Sequence, residues 1–199
     1  DGGLGVAAPY SNTTGGRILL NGDAQAAIGS ITTKFGFNAH PGNTGYANTA
    51  FGANALYANT TGYRNTAYGV FAFPATTTGA RNTGVGVHAG DVNTTGNDNT
   101  AIGYGTLQKC VSASSLTAVG ASALSENTTG ANNSGLGFAA LQLNTTGSSN
   151  TAGGMYALFG VIGGSGNTGF GAFCGYNGPG NFNSYFGNTA GYLQTSGDG

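Results

Sequence analysis

The residues able to do chemistry are few enough to be taken one by one. His88 and Asp91 are the close pairing of a histidine with a carboxylate, and an offset of three residues puts their side chains on opposite faces of a strand. A surface pairing, not a catalytic dyad, is the expectation. A polysaccharide-cleaving site needs two carboxylates about 5–9.5 Å apart. Asp91 and Glu126 come nearest to that, at roughly 10 Å once the repeat described below is stacked. There is no HExxH, no EF-hand and no glycine–aspartate calcium pattern. Gly135-Leu136-Gly137-Phe138-Ala139-Ala140 has the outline of a dinucleotide fingerprint but no βαβ context. The chain therefore reads as a non-enzyme, with no catalytic residue, no cofactor and no metal site.

Two cysteines and six glycosylation acceptors complete the inventory. Cys110 and Cys174 stand four repeats apart, which at the β spacing is roughly 19 Å, too far for a disulfide. Cys174 takes the place of a small inward residue and reads as a buried thiol, while Cys110 is a candidate to meet a neighbouring subunit. Asn-x-Ser/Thr motifs occur at Asn12, Asn59, Asn93, Asn127, Asn132 and Asn144. Four of these are the turn of the repeat itself, where an asparagine side chain that caps or ladders the turn is the stronger expectation.

What must position these residues follows from composition and period. The chain has 199 residues, of which 40 are glycine and only 6% are charged, with a net charge of −1. Five scattered cations cannot form a nucleic-acid surface. The longest apolar stretch, near Met155 to Ile162, is far below the roughly 20 residues of a membrane span, so no membrane insertion is expected. The first residue is Asp1, which reads as a processed product or an excerpt of a longer chain.

Asn48-Thr49-Ala50-Phe51-Gly52 recurs every 17 residues, at Asn65, Asn82, Asn99, Leu116, Asn133, Asn150 and Asn167, and once more a residue early at Asn183. Asn-Thr-Thr-Gly ends in the same phase at Gly62, Gly96, Gly130 and Gly147. The unit is N-T-A-φ-G-x-x-A-L-x-x-N-T-T-G-x-x, where φ is a large apolar residue; its residues are numbered from the first Asn as position 1. Seventeen residues with two glycine corners cannot hold a helical hairpin but do suit two short strands and two turns. Stacked at about 4.8 Å, identical positions become ladders. The expected fold is all-β, a parallel β-solenoid of about nine coils over residues 32–191. Residues 1–31, with the apolar run Ile18-Leu19-Leu20, are expected to form a cap or joint, and 192–199 a tail.

This unit resembles the repeats in the heads of trimeric autotransporter adhesins and in bacteriophage tail-fibre proteins, over nearly the whole chain. The resemblance implies a left-handed β-roll, association of three chains into a rod, and a role in attachment or display. The chain departs from that pattern in having no coiled-coil heptads and in showing no chaperone or anchor segment after the repeats, and so is expected to be either an excerpt of a long fibre or a secreted subunit that stacks end to end.

Two columns test that picture. The φ residues Phe51, Tyr68, Val85, Ile102 and Val119 are expected to stack in one buried column. The position-9 residues Leu56, Phe73, Leu107, Leu124, Leu141 and Leu158 are then expected at a subunit interface, because a thin coil has no room for both. The expected partner is a second copy of the chain, as a trimer or filament, with a cell-surface receptor or glycan as the target. The expected location is extracellular, on a cell surface or on a virion. The alternative function is an ice-binding solenoid carrying the ladder Thr49, Thr66, Thr83, Thr100 and Thr117. It is disfavoured because positions 2 and 4 share a strand face, which would send these threonines the way of the buried φ column.

Overall fold

A computed structural model describes residues 32–41, 44–178 and 180–193. Asn12, the expected cap of residues 1–31 and residues 194–199 lie outside the described residues. The described chain is one parallel sheet of ten short strands in sequence order. They are β1 (Thr32–Phe35), β2 (Asn48–Phe51), β3 (Thr66–Tyr68), β4 (Thr83–Val85), β5 (Thr100–Ile102), β6 (Thr117–Val119), β7 (Ser134–Leu136), β8 (Thr151–Gly153), β9 (Thr168–Phe170) and β10 (Ser184–Phe186). Each strand pairs with the next at identical repeat positions, as in Thr49↔Thr66, Ala50↔Ala67 and Phe51↔Tyr68. This is the expected β-solenoid, one coil per repeat, but each coil carries one strand and not two, the rest being turns with left-handed residues, and ten strands at the β spacing span about 43 Å.

The corners explain the glycines and the shape of the coil. Gly52 at position 5 has φ +135°, and a Cβ there would lie 2.4 Å from the carbonyl oxygen of Gly69 in the next coil. Only glycine allows both the dihedral and the stacking distance. The wall that follows holds residues in the left-handed region at positions 7 and 9, such as Phe71 (φ 53°) and Phe73 (φ 48°), and a third column at position 17 includes Arg64 (φ 55°). Left-handed residues cost about 1–2 kcal/mol each outside glycine. Here they break strand alternation, so that positions 8 and 9 both turn inward.

That turn reverses the expected columns. Leu56, Phe73, Leu107, Leu124, Leu141 and Leu158 are fully buried inside their own chain and do not form a subunit interface. The expected burial of Phe51, Tyr68, Val85, Ile102 and Val119 is likewise overturned, for the first four side chains are exposed and Val119 in the same column is half-buried. The physical reason is the space opposite the leucine. A Cβ on Gly135, at position 3, would sit 3.5 Å from Leu124 Cγ, so the strand can present only a small residue to the core. Ala50, Ala67, Ala101, Ala118 and Ala152 fill that place and are fully buried. With position 3 inward, positions 2 and 4 must face out.

Where a core residue is larger, the neighbouring coil gives way. Phe73 replaces the leucine, and the coil above it carries Gly84 and Gly90, whose added Cβ atoms would fall 2.6 Å and 2.2 Å from the ring. The two ends of the column are closed by other rings. His40 takes position 9 in the first described coil, and Tyr185 takes position 3 in the last; both are buried. Gly175 and Gly191 leave the space for Tyr185.

Buried asparagines hold the corner beside the strand. At position 1, Asn65 Nδ2 donates to the Gly79 carbonyl in its own coil (2.8 Å). Its Oδ1 accepts from the backbone N–H of Asn82 in the next coil (2.9 Å). The pattern repeats for Asn82, with Gly96 (2.8 Å) and Asn99 N–H (3.0 Å), and for Asn150, with Gly164 (2.8 Å) and Asn167 N–H (2.9 Å). Leu116 interrupts this ladder. There the Gly130 carbonyl is served by position 12 instead, through Asn127 Nδ2 (2.9 Å). The Gly147 carbonyl one coil on has two donors, Asn133 Nδ2 (2.7 Å) and Asn144 Nδ2 (2.9 Å).

Two outcomes are expected from this packing. Asn127→Ala removes the side-chain donor of a buried carbonyl whereas Asn144→Ala leaves one in place, so urea unfolding should show the first to be less stable by roughly 1–2 kcal/mol. Gly84→Ala should destabilise by about 1–3 kcal/mol through overpacking. Adding Phe73→Leu should recover most of that loss, a coupling that a double-mutant cycle measures directly.

Candidate functional site

The feature that distinguishes this surface is the outward ladder. Phe51 is 37% exposed, Tyr68 54%, Ile102 38% and Leu136 43%. The aromatic members at its start stack in register along the rod, with Phe35–Phe51 centroids 4.7 Å apart and Phe51–Tyr68 4.8 Å. Gly153 is the gap in the column, and Phe170 leans over it: a Cβ there would meet the Phe170 ring at 2.5 Å. Around the glycine corner, position 6 extends the apolar strip through exposed Val70, Val87, Tyr104, Phe138 and Met155. No charged residue stands at positions 2, 4 or 6 of any described coil.

Thr49, Thr83, Thr100 and Thr117 are half-buried at position 2 of this same outward face, and Thr66 is exposed. The ground on which the ice-binding alternative was disfavoured, that these threonines follow φ inward, is thereby removed. A second threonine column is already committed. At position 13, Thr60 Oγ1 donates to the Thr77 carbonyl (3.0 Å), Thr77 Oγ1 to Thr94 (3.1 Å) and Thr128 Oγ1 to Thr145 (2.9 Å).

Six of the ionisable residues lie off the ladder in three ion pairs, one within a coil and two between coils. His88 Nδ1 lies 3.2 Å from Asp91 Oδ1, although the nitrogen lacks a well-aligned hydrogen bond, and the imidazole stacks on Phe71 at 5.2 Å. Strand alternation does not apply to this pair, because it sits on the left-handed wall and not on a strand. Glu126 binds Lys109 Nζ (2.5 Å). Arg81 holds Asp98 through Nε (2.6 Å) and Nη2 (2.8 Å), which keeps the Asp98 carboxyl below its ordinary range. Among the described residues, no group of three or more His, Cys, Asp or Glu is gathered to hold a metal.

Both cysteines are free and buried. Cys110 does not reach a neighbouring subunit, because it stands in the inward position-12 column, where Asn93 Nδ2 donates toward its sulfur (4.0 Å). Burial pushes its thiol up to about 11. Of the glycosylation acceptors, Asn59, Asn93, Asn127 and Asn144 are buried, and their amide nitrogens donate inside the coil, as Asn59 does to the Gly62 carbonyl (3.1 Å). A glycan on any of these four is incompatible with the fold. Asn132 is exposed, with φ 59°.

His40, which the sequence did not single out, is the titratable group most altered by its surroundings. Its Nε2 accepts from Asn59 Nδ2 (3.2 Å) and Asn48 Nδ2 (3.4 Å). Burial, with a smaller contribution from Lys34, lowers its pKa to about 4. Protonation would set an N–H against two N–H donors. The stabilisation is complete above the unfolded value of 6.5 and is lost as pH falls toward about 4. Protection of the first described coil's amides, taken against the intrinsic exchange rate at each pH, should therefore fall across that window, and His40→Leu, which restores the usual position-9 residue, should remove that fall.

The chain matches no protein-family model, no curated protein and no solved structure.

Proposed function

We propose that this chain is the structural subunit of an extracellular or virion-surface fibre, a rod that associates with copies of itself through the outward ladder and serves attachment or display. The observation that carries the reading is the uncharged apolar strip formed by positions 4 and 6. It is about 43 Å long and, three residues across, roughly 10 Å wide, on the order of 400 Å², more contiguous apolar surface than the few hundred Å² that soluble monomers usually expose. A continuous patch of that size on a lone soluble chain marks an interaction surface, and depletion of charge is the compositional sign of an interface core. Because every coil presents the same positions at the same spacing, a second copy in register offers the best match. The resemblance to adhesin heads and tail fibres supports three chains around one axis.

The ice-binding alternative uses the same face. The outward threonine column favours it, but the neighbouring φ column varies from glycine to phenylalanine in height, which suits interdigitation with another chain better than a flat lattice.

The test is sedimentation combined with circular dichroism. The wild type is expected to sediment well above 19.5 kDa. Ile102→Asp is expected to keep the β spectrum, since the side chain points away from the core, and to weaken assembly by at least tenfold. A folded wild-type monomer of 19.5 kDa overturns the reading, and thermal hysteresis by that monomer selects ice binding instead.

A further inference from the structure

Among the described residues β10 bonds only to β9, so one edge of the sheet is open. From β2 to β9 the position-4 carbonyl accepts from the position-5 N–H of the coil that follows, as Phe170 does from Gly187 (2.8 Å). The position-2 N–H donates to the following position-1 carbonyl, as Thr168 does to Asn183 (2.8 Å). By the same pattern the Phe186 carbonyl and the Ser184 N–H face the side on which no described coil lies. A Cβ on Gly171 would sit 2.4 Å from the Gly187 carbonyl oxygen, whereas one on Gly187 would meet nothing within 4 Å. The side chains at this end are apolar and well exposed: Phe182 is 73% exposed, Phe186 67% and Leu193 73%. A strand edge with free backbone groups and apolar neighbours is a template for a further strand.

The chain contains a segment suited to that edge. Gly3-Leu4-Gly5-Val6-Ala7-Ala8 and Asn12-Thr13-Thr14-Gly15 repeat Gly135-Leu136-Gly137-Phe138-Ala139-Ala140 and Asn144-Thr145-Thr146-Gly147 at the same spacing, with nine of the thirteen residues from Gly3 to Gly15 identical. Residues 1–15 thus carry positions 1–15 of the unit. Placed on β10 in register, Gly3 falls over Tyr185 and brings no side chain against the ring that closes the core. Leu4 falls over Phe186 and continues the outward ladder. Pro9 stands at position 9, where the rod uses a left-handed residue such as Leu158 (φ 50°), a dihedral that the proline ring forbids. What the segment shares with the rod is therefore the strand and its glycine corners, not a core of its own.

Its own rod is a poor host for this segment. The repeat allows two residues between the position-15 glycine and the next position 1, but sixteen separate Gly15 from Thr32, so the segment does not run on in phase with β1. To reach β10 of the same chain those sixteen residues, at most about 55 Å when fully extended, would have to run almost straight along a rod about 43 Å long. A second copy placed end to end meets neither constraint. We infer that residues 1–15 of a second copy add the next strand to the open edge of β10, so that rods join head to tail through one continuous sheet. Such a contact is heterologous and repeats by translation, which generates a filament and not a closed ring. It uses the ends of the rod and does not rest on the lateral strip proposed above.

The experiment is copper-phenanthroline oxidation of Leu4→Cys/Phe186→Cys in the full chain. Both residues hold position 4, where in-register neighbours lie about 4.8 Å apart, within disulfide reach. The two native thiols are buried, and Phe186 is exposed, so the β spectrum is expected to be unchanged. Expected on a non-reducing gel is a series of covalent multimers, at least tenfold weaker in either single variant and undiminished when Ile102→Asp is added to disrupt the lateral strip. A disulfide closed only within the monomer, seen as faster migration than the reduced chain, assigns the segment to its own rod and overturns the inference. So does the absence of any linkage. Multimers that vanish with Ile102→Asp come from side-by-side neighbours, which overturns the end-to-end joint and leaves the lateral reading standing. A wild type that sediments as a monomer overturns both.

Discussion

A solenoid corner leaves backbone groups stranded, and here one buried asparagine per coil resolves the problem. The strand can pair its own amides with the coils above and below, but the chain entering it must turn sharply, and the carbonyl at position 15 and the amide at position 1 lose their sheet partners. Asn65 bridges the two, donating to Gly79 and accepting from Asn82. An unpaired buried peptide group costs about 1–3 kcal/mol, so a rod without these amides would lose several kcal/mol along its length. The coil that lacks position-1 asparagine shows the requirement from the other side. Leu116 replaces it, and Asn127 supplies the missing donor to Gly130 from a different place in the repeat.

Once that corner is set, the rest of the cross-section follows from space. The left-handed residues at positions 7 and 9 turn both alanine and leucine inward from one wall. The opposite wall can then contribute only alanine or glycine, and the large residue on either side of it is expelled. The exposed ladder is therefore not a separate embellishment of the rod. It is the geometrical complement of a core filled from one side, and the same choice that seals each coil makes the outer face apolar.

The period, the all-β class, the strand at Thr-Ala-φ and the glycine corners were all legible from residue types and spacing, because those depend on backbone rules that act locally. The laddering of Asn59 and Asn127 was legible too, since an asparagine in a turn has an obvious use for its amide. What failed was the assignment of inside and outside. Alternation says that Thr49 and Phe51 share a face but not which face is buried, and hydrophobicity gave the wrong answer because Leu56 competes with Phe51 for the same interior. Deciding between them required the left-handed dihedral at position 9, which leucine does not advertise. His40 and Tyr185, the rings that close the column, were hidden for a related reason: each breaks the repeat at a position whose inward direction was not yet known.

The stabilising contacts in the rod lie within one coil or join it to the coil next to it, and this makes length a free variable. Inserting or excising a whole coil changes the end-to-end distance by one quantum of about 4.8 Å and alters side-chain neighbours only at the join, which must avoid matched pairs such as Phe73 with Gly84 and Gly90. Single residues are a different matter, yet not uniformly so. The intervals from Thr32 to Asn48 and from Thr168 to Ser184 are 16 residues, and the strands still pair in register. The asparagine bridge survives as well, from Asn167 to Asn183. The loop side of the coil absorbs the deletion, and the strand side keeps time. A gene encoding such a chain can lengthen or shorten its product by unequal recombination between repeats, and selection can tune reach without redesigning a core.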